Sequence, residues 1–203
     1  MQGEPADGLA DALRPLGRRP PLFLAAGAAY ALGTIAGERR VADLGLHTLL
    51  SVVVSNAVTG SLKMLGGRAR PWIPVVQAGD TTWLGSDPYE WEAFAGLSEG
   101  GPRQSWPSGH TTTAFALATV LAEELGGPTP WIAYPVATGV AWSRVHDQAH
   151  WASDVVMGAL VGIFSARLVV RYGHREGSWL GDVLLLDADP VRREVRFSVP
   201  WSW

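Results

Sequence analysis

Apolar residues recur at helical spacing through most of the first 170 positions, interrupted by breaks rich in Gly and Pro. Residues 8–16 read as a short amphipathic helix. Residues 22–37 form an apolar run rich in Ala and Gly, with Arg18-Arg19 before it and Arg39-Arg40 after it. Such a run suits a closely packed core helix as well as a marginal membrane span, and its evenly placed cations indicate no orientation. Residues 41–65 give a long helical pattern punctuated by Asp43, His47, Ser51, Ser55, Asn56, Thr59 and Ser61. That much polarity suits a soluble bundle better than lipid, and His47 reads as a surface or hydrogen-bonded histidine. Gly66-Gly67 ends the pattern.

Residues 72–106 follow as a long irregular stretch holding Trp72, Trp83, Tyr89, Trp91, Phe94 and Trp106. Its charges are acidic until Arg103. A loop of this length is either a lid near a binding site or a surface excursion with its own aromatic cluster, and the sequence leaves both open. Helical patterns resume over 111–125, 130–142, with a kink or a start expected at Pro135, and 152–170. After Gly173 the period changes to two: 179–186, a turn at 187–190, then 191–203, which reads as a β-hairpin appended to the helices.

A chain of 203 residues is long enough for one well-buried core. A net charge of −3 and no long Lys/Arg run argue against nucleic acid as a partner. With no cysteine there is no disulfide framework. Mean hydropathy of +0.11 is low for a multi-span membrane protein, and no segment stands out as a twenty-residue span; a soluble or peripherally attached protein is expected. The first ten residues lack the cationic start of a signal peptide. Ten tryptophans is a high number, and several are expected near the surface or a substrate entrance.

Three stretches carry chemistry. In Ser143-Arg144-Val145-His146-Asp147-Gln148-Ala149-His150-Trp151-Ala152-Ser153-Asp154, two histidines, an arginine and two aspartates crowd an otherwise apolar region. If the following helix begins early enough, His150 and Asp154 share one face, and the carboxylate can fix the imidazole tautomer for nucleophilic attack. The same residues equally describe a solvated helix N-terminus. Lys63 and Arg70-Pro71 flank the Gly66-Gly67 break, so a turn there can bring both cations to one anion. Pro107-Ser108-Gly109-His110 opens a helix whose free N–H groups favour an anion, with Ser108 as N-cap, hydroxyl donor to that anion or both.

In order, these read Lys-x6-Arg-Pro, Pro-Ser-Gly-His and Ser-Arg-x5-His-x3-Asp, with no substitution at a defining position. The pattern resembles the type 2 phosphatidic acid phosphatase superfamily, which includes class A acid phosphatases and vanadium haloperoxidases. The resemblance covers Lys63 to Asp154 and implies an all-α bundle of about five or six helices over residues 1–175, to which 176–203 would add the C-terminal β-hairpin. It implies a phosphatase acting on phosphomonoesters or diphosphates, lipid phosphate or related, without a metal or other cofactor. His150 would be the nucleophile that forms a phosphohistidine, Asp154 its orienting partner and His110 the acid and later the base. Lys63, Arg70, Ser108, Gly109 and Arg144 would bind the phosphate. His146 and Asp147 read as loop polarity rather than a metal pair. The family implies an extracytoplasmic or membrane-associated setting with peripheral membrane contact. Two other readings stay on the page: a vanadate-dependent haloperoxidase using the same residues, and a non-enzymatic membrane-associated structural protein.

Overall fold

The computed structural model describes residues 5–77, 80–98 and 101–174. Seven α-helices occur among them: α1 Pro5–Leu13, α2 Arg19–Ala36, α3 Arg39–Gly66, the four-residue α4 Ala95–Ser98, α5 Gly109–Leu125, α6 Thr129–His146 and α7 Ala152–Gly173. A 3-10 turn, Arg14–Gly17, links α1 to α2. The expectation of five or six helices with a C-terminal hairpin is corrected. The helices number seven among the described residues, and no hairpin follows α7 there; residues 176–203, where it was expected, lie outside them. The antiparallel pair that is described, β1 Trp72–Gln77 with β2 Asp80–Gly85, falls in the stretch read as irregular. Pro74 and mixed polarity hide the period of two in those residues.

Helix ends follow local chemistry. Pro20 and Pro21 occupy the first turn of α2, where a missing N–H costs nothing. Gly37 and Gly67 take left-handed conformations past the ends of α2 and α3. Pro135 does not start α6 as expected; it lies inside a helix that begins at Thr129.

α5 is the central helix, packed against α3, α6 and α7, while α2 packs on α3. Small residues permit this. A Cβ on Gly162 would lie 2.5 Å from the Thr112 carbonyl oxygen, and one on Gly158 2.6 Å from that of Ser108, so α7 approaches the backbone of α5 directly. Gly45 meets the α2 backbone in the same way. The interior is Ala, Val, Thr and Ser rather than Leu and Phe. Several of its hydroxyls pair across helices: Thr59 with Thr112 at 3.1 Å, Asn56 Nδ2 donating to Thr113 at 3.1 Å, and Thr119 with Tyr134 at 3.2 Å.

The large apolar side chains point the other way. Leu24, Ile35, Trp131, Phe164 and Leu168 are exposed, Ile35 to 82% and Trp131 to 84%. Small polar inside and large apolar outside is the distribution of helices packed in lipid. α3, of 28 residues, and α7, of 22, are long and apolar enough to cross a membrane. Neither stood out in the sequence, because serines and threonines dilute α3. Those hydroxyls turn inward: Thr48, Ser51, Ser55 and Thr59 are all buried.

Candidate active site

The three motif stretches converge at one end of the bundle. α3 ends at Gly66, so Lys63 stands in its last turn and Arg68 and Arg70 in the extended chain beyond. Ser108 precedes α5 and His110 lies in its first turn. Arg144 lies in the last turn of α6, and α7 begins two residues after His150.

His150 is buried, 4% exposed, and its backbone N–H donates to the Arg144 carbonyl at 3.2 Å, which ties the loop to the end of α6. Nε2 faces Arg70 Nη1 at 3.5 Å and Nδ1 faces Asp154 Oδ2 at 3.5 Å. The second distance is that of an ion pair, and Nδ1 has no formed hydrogen bond. The arrangement favours a proton on Nδ1 and a lone pair on Nε2 directed at the cations. Burial holds the imidazole down at about 4, against the raising effect of Asp154, with Lys63 and Arg70 lowering it further. His150 is therefore neutral at pH 7, the state a nucleophile requires.

Asp154 is fully buried and held on every side. Oδ1 accepts from Arg68 Nη1. Oδ2 accepts from the Ser105 hydroxyl and from the Trp151 N–H, the latter at 2.9 Å. Arg68 in turn donates twice to the Pro88 carbonyl and once to Ser153, and its guanidinium lies 4.9 Å from the Trp91 ring centre and 5.7 Å from that of Trp151. Sequence reasoning gave neither Arg68 nor Ser105 a role. Arg68 sits inside the Lys-x6-Arg segment and was visible as a third cation there; Ser105 carried no signal.

Backbone carbonyls rather than carboxylates orient the two cations that end α3 and follow it. Lys63 Nζ donates to the carbonyls of Gln104 and Ser105, the second at 3.4 Å. Arg70 donates to the carbonyls of Gly101 and Ala149, both at 2.8 Å. Neither has a carboxylate ion-pair partner among the described residues. Carbonyl dipoles orient a cation without supplying a fixed counter-charge. Burial, then Arg144, lowers the Arg70 guanidinium from its ordinary value.

The carbonyls at Pro88, Gly101, Gln104 and Ser105 belong to the long stretch between the first two motifs. Two readings of that stretch were open, and it proves to be the clamp that seats these side chains. Its aromatics join in, with Trp91 packed edge-on to Trp106 at 5.5 Å, whereas Tyr89 and Phe94 are exposed.

Arg144 is buried and pairs with Asp147 at 2.8 Å, and Asp147 also accepts from Arg14 Nε at 2.9 Å. Ser108 holds the N-cap position of α5 yet makes no capping bond; its Oγ accepts from Thr111 at 3.0 Å. His110 is lowered to about 4 by burial first, then by Arg144, Arg19, Arg18 and Arg70. A cavity of about 440 Å³ opens beside it, lined by Arg14, Gly17, Arg18, Arg19, Pro20, His110 and Arg144. Gly17 seats this N-terminal segment: a Cβ there would lie 2.9 Å from that of His110.

His146 contacts Asp7 at 2.9 Å and stacks on Trp142. Among the described residues, His47, Glu124 and His174 do form a group of metal-ligand type, with ligand atoms within 4.8 Å of one another. His47 is sixteen residues from Lys63 along α3, roughly 24 Å at the rise of an α-helix, so this group is remote from the phosphate motifs. It is a buried, carboxylate-paired histidine, His47 Nδ1 lying 2.6 Å from Glu124.

The class these features define is confirmed by comparison: the sequence model of the PAP2 superfamily matches residues 44–178, and the chain belongs to that family of phosphate-ester hydrolases. It is 41% identical over 92 residues to a lipid A 1-phosphatase of Porphyromonas gingivalis, a match covering 44% of this chain and 19% of that protein. The matched region is thus about a fifth of the relative's length. The fold is similar to that in the crystal structure of Aquifex aeolicus LpxE, with a TM-score of 0.56 and 21% identity over 84% of this chain and 89% of that one.

Proposed function

We propose that the chain hydrolyses phosphomonoesters or diphosphates carried on a lipid, through a phosphohistidine at His150. The observation that carries this reading is the placement of His150 between Arg70 on its Nε2 side and the anchored Asp154 on its Nδ1 side. A phosphate ester is drawn in by Lys63, Arg70 and Arg144, and the Ser108 hydroxyl and Gly109 N–H add neutral donors. These groups act most strongly on charge at the equatorial oxygens in the transition state. His150 Nε2 attacks phosphorus as the ester oxygen departs, and the proton gained on that oxygen comes from His110. Burial is the first cause of His110's lowered value and the arginines add to it; an arriving anion offsets the arginines' share, and to that extent substrate raises the acid toward its working state. Water then attacks the phosphohistidine with His110 as base, releasing inorganic phosphate. The substrate's apolar part is supported by the exposed apolar faces of the helices, which favour a membrane-associated setting, and by the name of the Porphyromonas relative.

The test separates the two histidines. His150→Ala abolishes turnover of every substrate. His110→Ala nearly eliminates hydrolysis of alkyl phosphates, because an alkoxide leaves poorly without a proton. With p-nitrophenyl phosphate the same variant gives a burst of about one nitrophenolate per site and then slows, since dephosphorylation lacks its base. Acid-labile phosphate trapped on His150 supports the assignment; phosphate on Ser108, or a burst that survives His150→Ala, refutes it.

A further inference from the structure

We infer that Arg18 and Arg19 form a second anion subsite on the leaving-group side of His110, which selects substrates carrying a second phosphoryl group next to the one removed. The inference rests on the phosphatase reading above and specifies its substrate class as a diphosphate ester.

The geometry comes from the N-terminal segment. The 3-10 turn Arg14–Gly17 packs on the first turn of α5, and α2 then leaves with Arg19 at its start. Arg19 Nη2 lies 3.0 Å from where a Cβ on Gly109 would stand, so the guanidinium rests on the Pro-Ser-Gly-His segment itself. Arg18 and Arg19 share the cavity of about 440 Å³ with His110 and Arg144. Arg14, the third arginine of this segment, is committed to Asp11 and Asp147, and Arg144, which also meets Asp147, is assigned to the transferred phosphate. Arg18 and Arg19 have no carboxylate partner among the described residues.

One phosphate held by Lys63, Arg70 and Arg144 already meets enough cations. Two further guanidinium groups line the cavity beside the proposed acid, His110, on the side from which a leaving group protonated by it would depart. For a diphosphate ester, His150 Nε2 bonds to the terminal phosphorus and the bridging P–O bond breaks. The bridging oxygen keeps the electron pair and becomes an oxygen of the departing monophosphate ester, which Arg18 and Arg19 receive. An ordinary alkoxide gives them nothing to bind.

The experiment compares dodecyl diphosphate with dodecyl phosphate, and separately measures calorimetric binding of methylenebisphosphonate, a diphosphate analogue whose carbon bridge cannot be hydrolysed, against inorganic phosphate. In the Arg18→Ala/Arg19→Ala variant, kcat/KM for the diphosphate falls about ten- to a hundredfold more than for the monophosphate, the loss expected for charge-assisted contacts. Arg18→Lys/Arg19→Lys restores part of that difference, and raising the salt concentration narrows it in the unmodified protein. Equal losses on both substrates, or no loss, overturn the subsite. If neither ester is hydrolysed but methylenebisphosphonate still binds more tightly than phosphate in an Arg18- and Arg19-dependent way, the subsite stands and the phosphatase reading fails.

Discussion

Replacing Arg68 by Met tests whether the anchored carboxylate is what organises this site. The guanidinium side chain is 7% exposed and Asp154 is wholly buried, so the substitution leaves a carboxylate without its cation in a dry setting. Breaking a buried pair from one side costs about 3–5 kcal/mol. Three features move the value toward the lower end. The Ser105 hydroxyl and the Trp151 N–H still hold Oδ2, Met fills part of the space between Trp91 and Trp151, and water can reach the half-buried Pro88 to satisfy its carbonyl. An expected loss of ~3 kcal/mol is a large share of a domain stability of roughly 5–15 kcal/mol, yet leaves most of the protein folded. The decisive measurement is a double-mutant cycle with Asp154→Asn, read by denaturant unfolding with tryptophan fluorescence. The double variant has no stranded charge, so it is more stable than the sum of single losses by about 2 kcal/mol. Activity gives a second readout. Arg68 is committed to Asp154, Ser153 and the Pro88 carbonyl, so under the proposed mechanism vanadate affinity changes little while the rate of phosphohistidine formation drops. Additivity within ~0.5 kcal/mol, or a parallel loss of vanadate binding, would show that Arg68 does not act through Asp154.

Acid stability follows from His150. Its folded value of about 4 lies below the ordinary 6.5, so the unfolded chain takes the proton first; the stabilisation is complete above pH 6.5 and is lost as pH falls toward 4. Melting temperature measured against pH should decline across that window, and His150→Gln should reduce the decline, with His110, also held at about 4, contributing the rest; a profile that His150→Gln leaves unchanged would contradict a buried neutral histidine. Packing of α7 on α5 gives a contrast between two glycines. Gly162→Ala drives a Cβ to 2.5 Å from the Thr112 carbonyl and costs on the order of 1–3 kcal/mol, whereas Gly27→Ala, with nothing within 4 Å, gains up to ~1 kcal/mol from helix propensity. Circular dichroism melts of both variants check the pair, and a loss of similar size in Gly27→Ala would refute the steric account.

Much of the candidate site was legible because its residues are chemically unusual where they stand. A lysine, two arginines and two histidines in an apolar chain are conspicuous, and glycine and proline breaks placed them at helix ends. The longer helices were legible from period and punctuation, to within a few residues, whereas the four-residue α4 lay unread in the stretch taken as irregular. The strands of the β1–β2 pair were not, since Pro74 interrupts any alternation and backbone pairing with the partner strand decides their conformation. Tertiary structure alone decided which residues serve the motif side chains. Arg68 reaches Asp154 across 86 positions, Ser105 reaches it across 49, and Lys63 finds carbonyls 41 and 42 residues away. Backbone carbonyls carry no sequence signature, and a serine far along the chain looks like any other. The polarity of α3 misled for a related reason. Its hydroxyls lower its apparent hydropathy, but whether they face lipid or a neighbouring helix depends on where α5 and α7 lie, and only the packed bundle turns them inward.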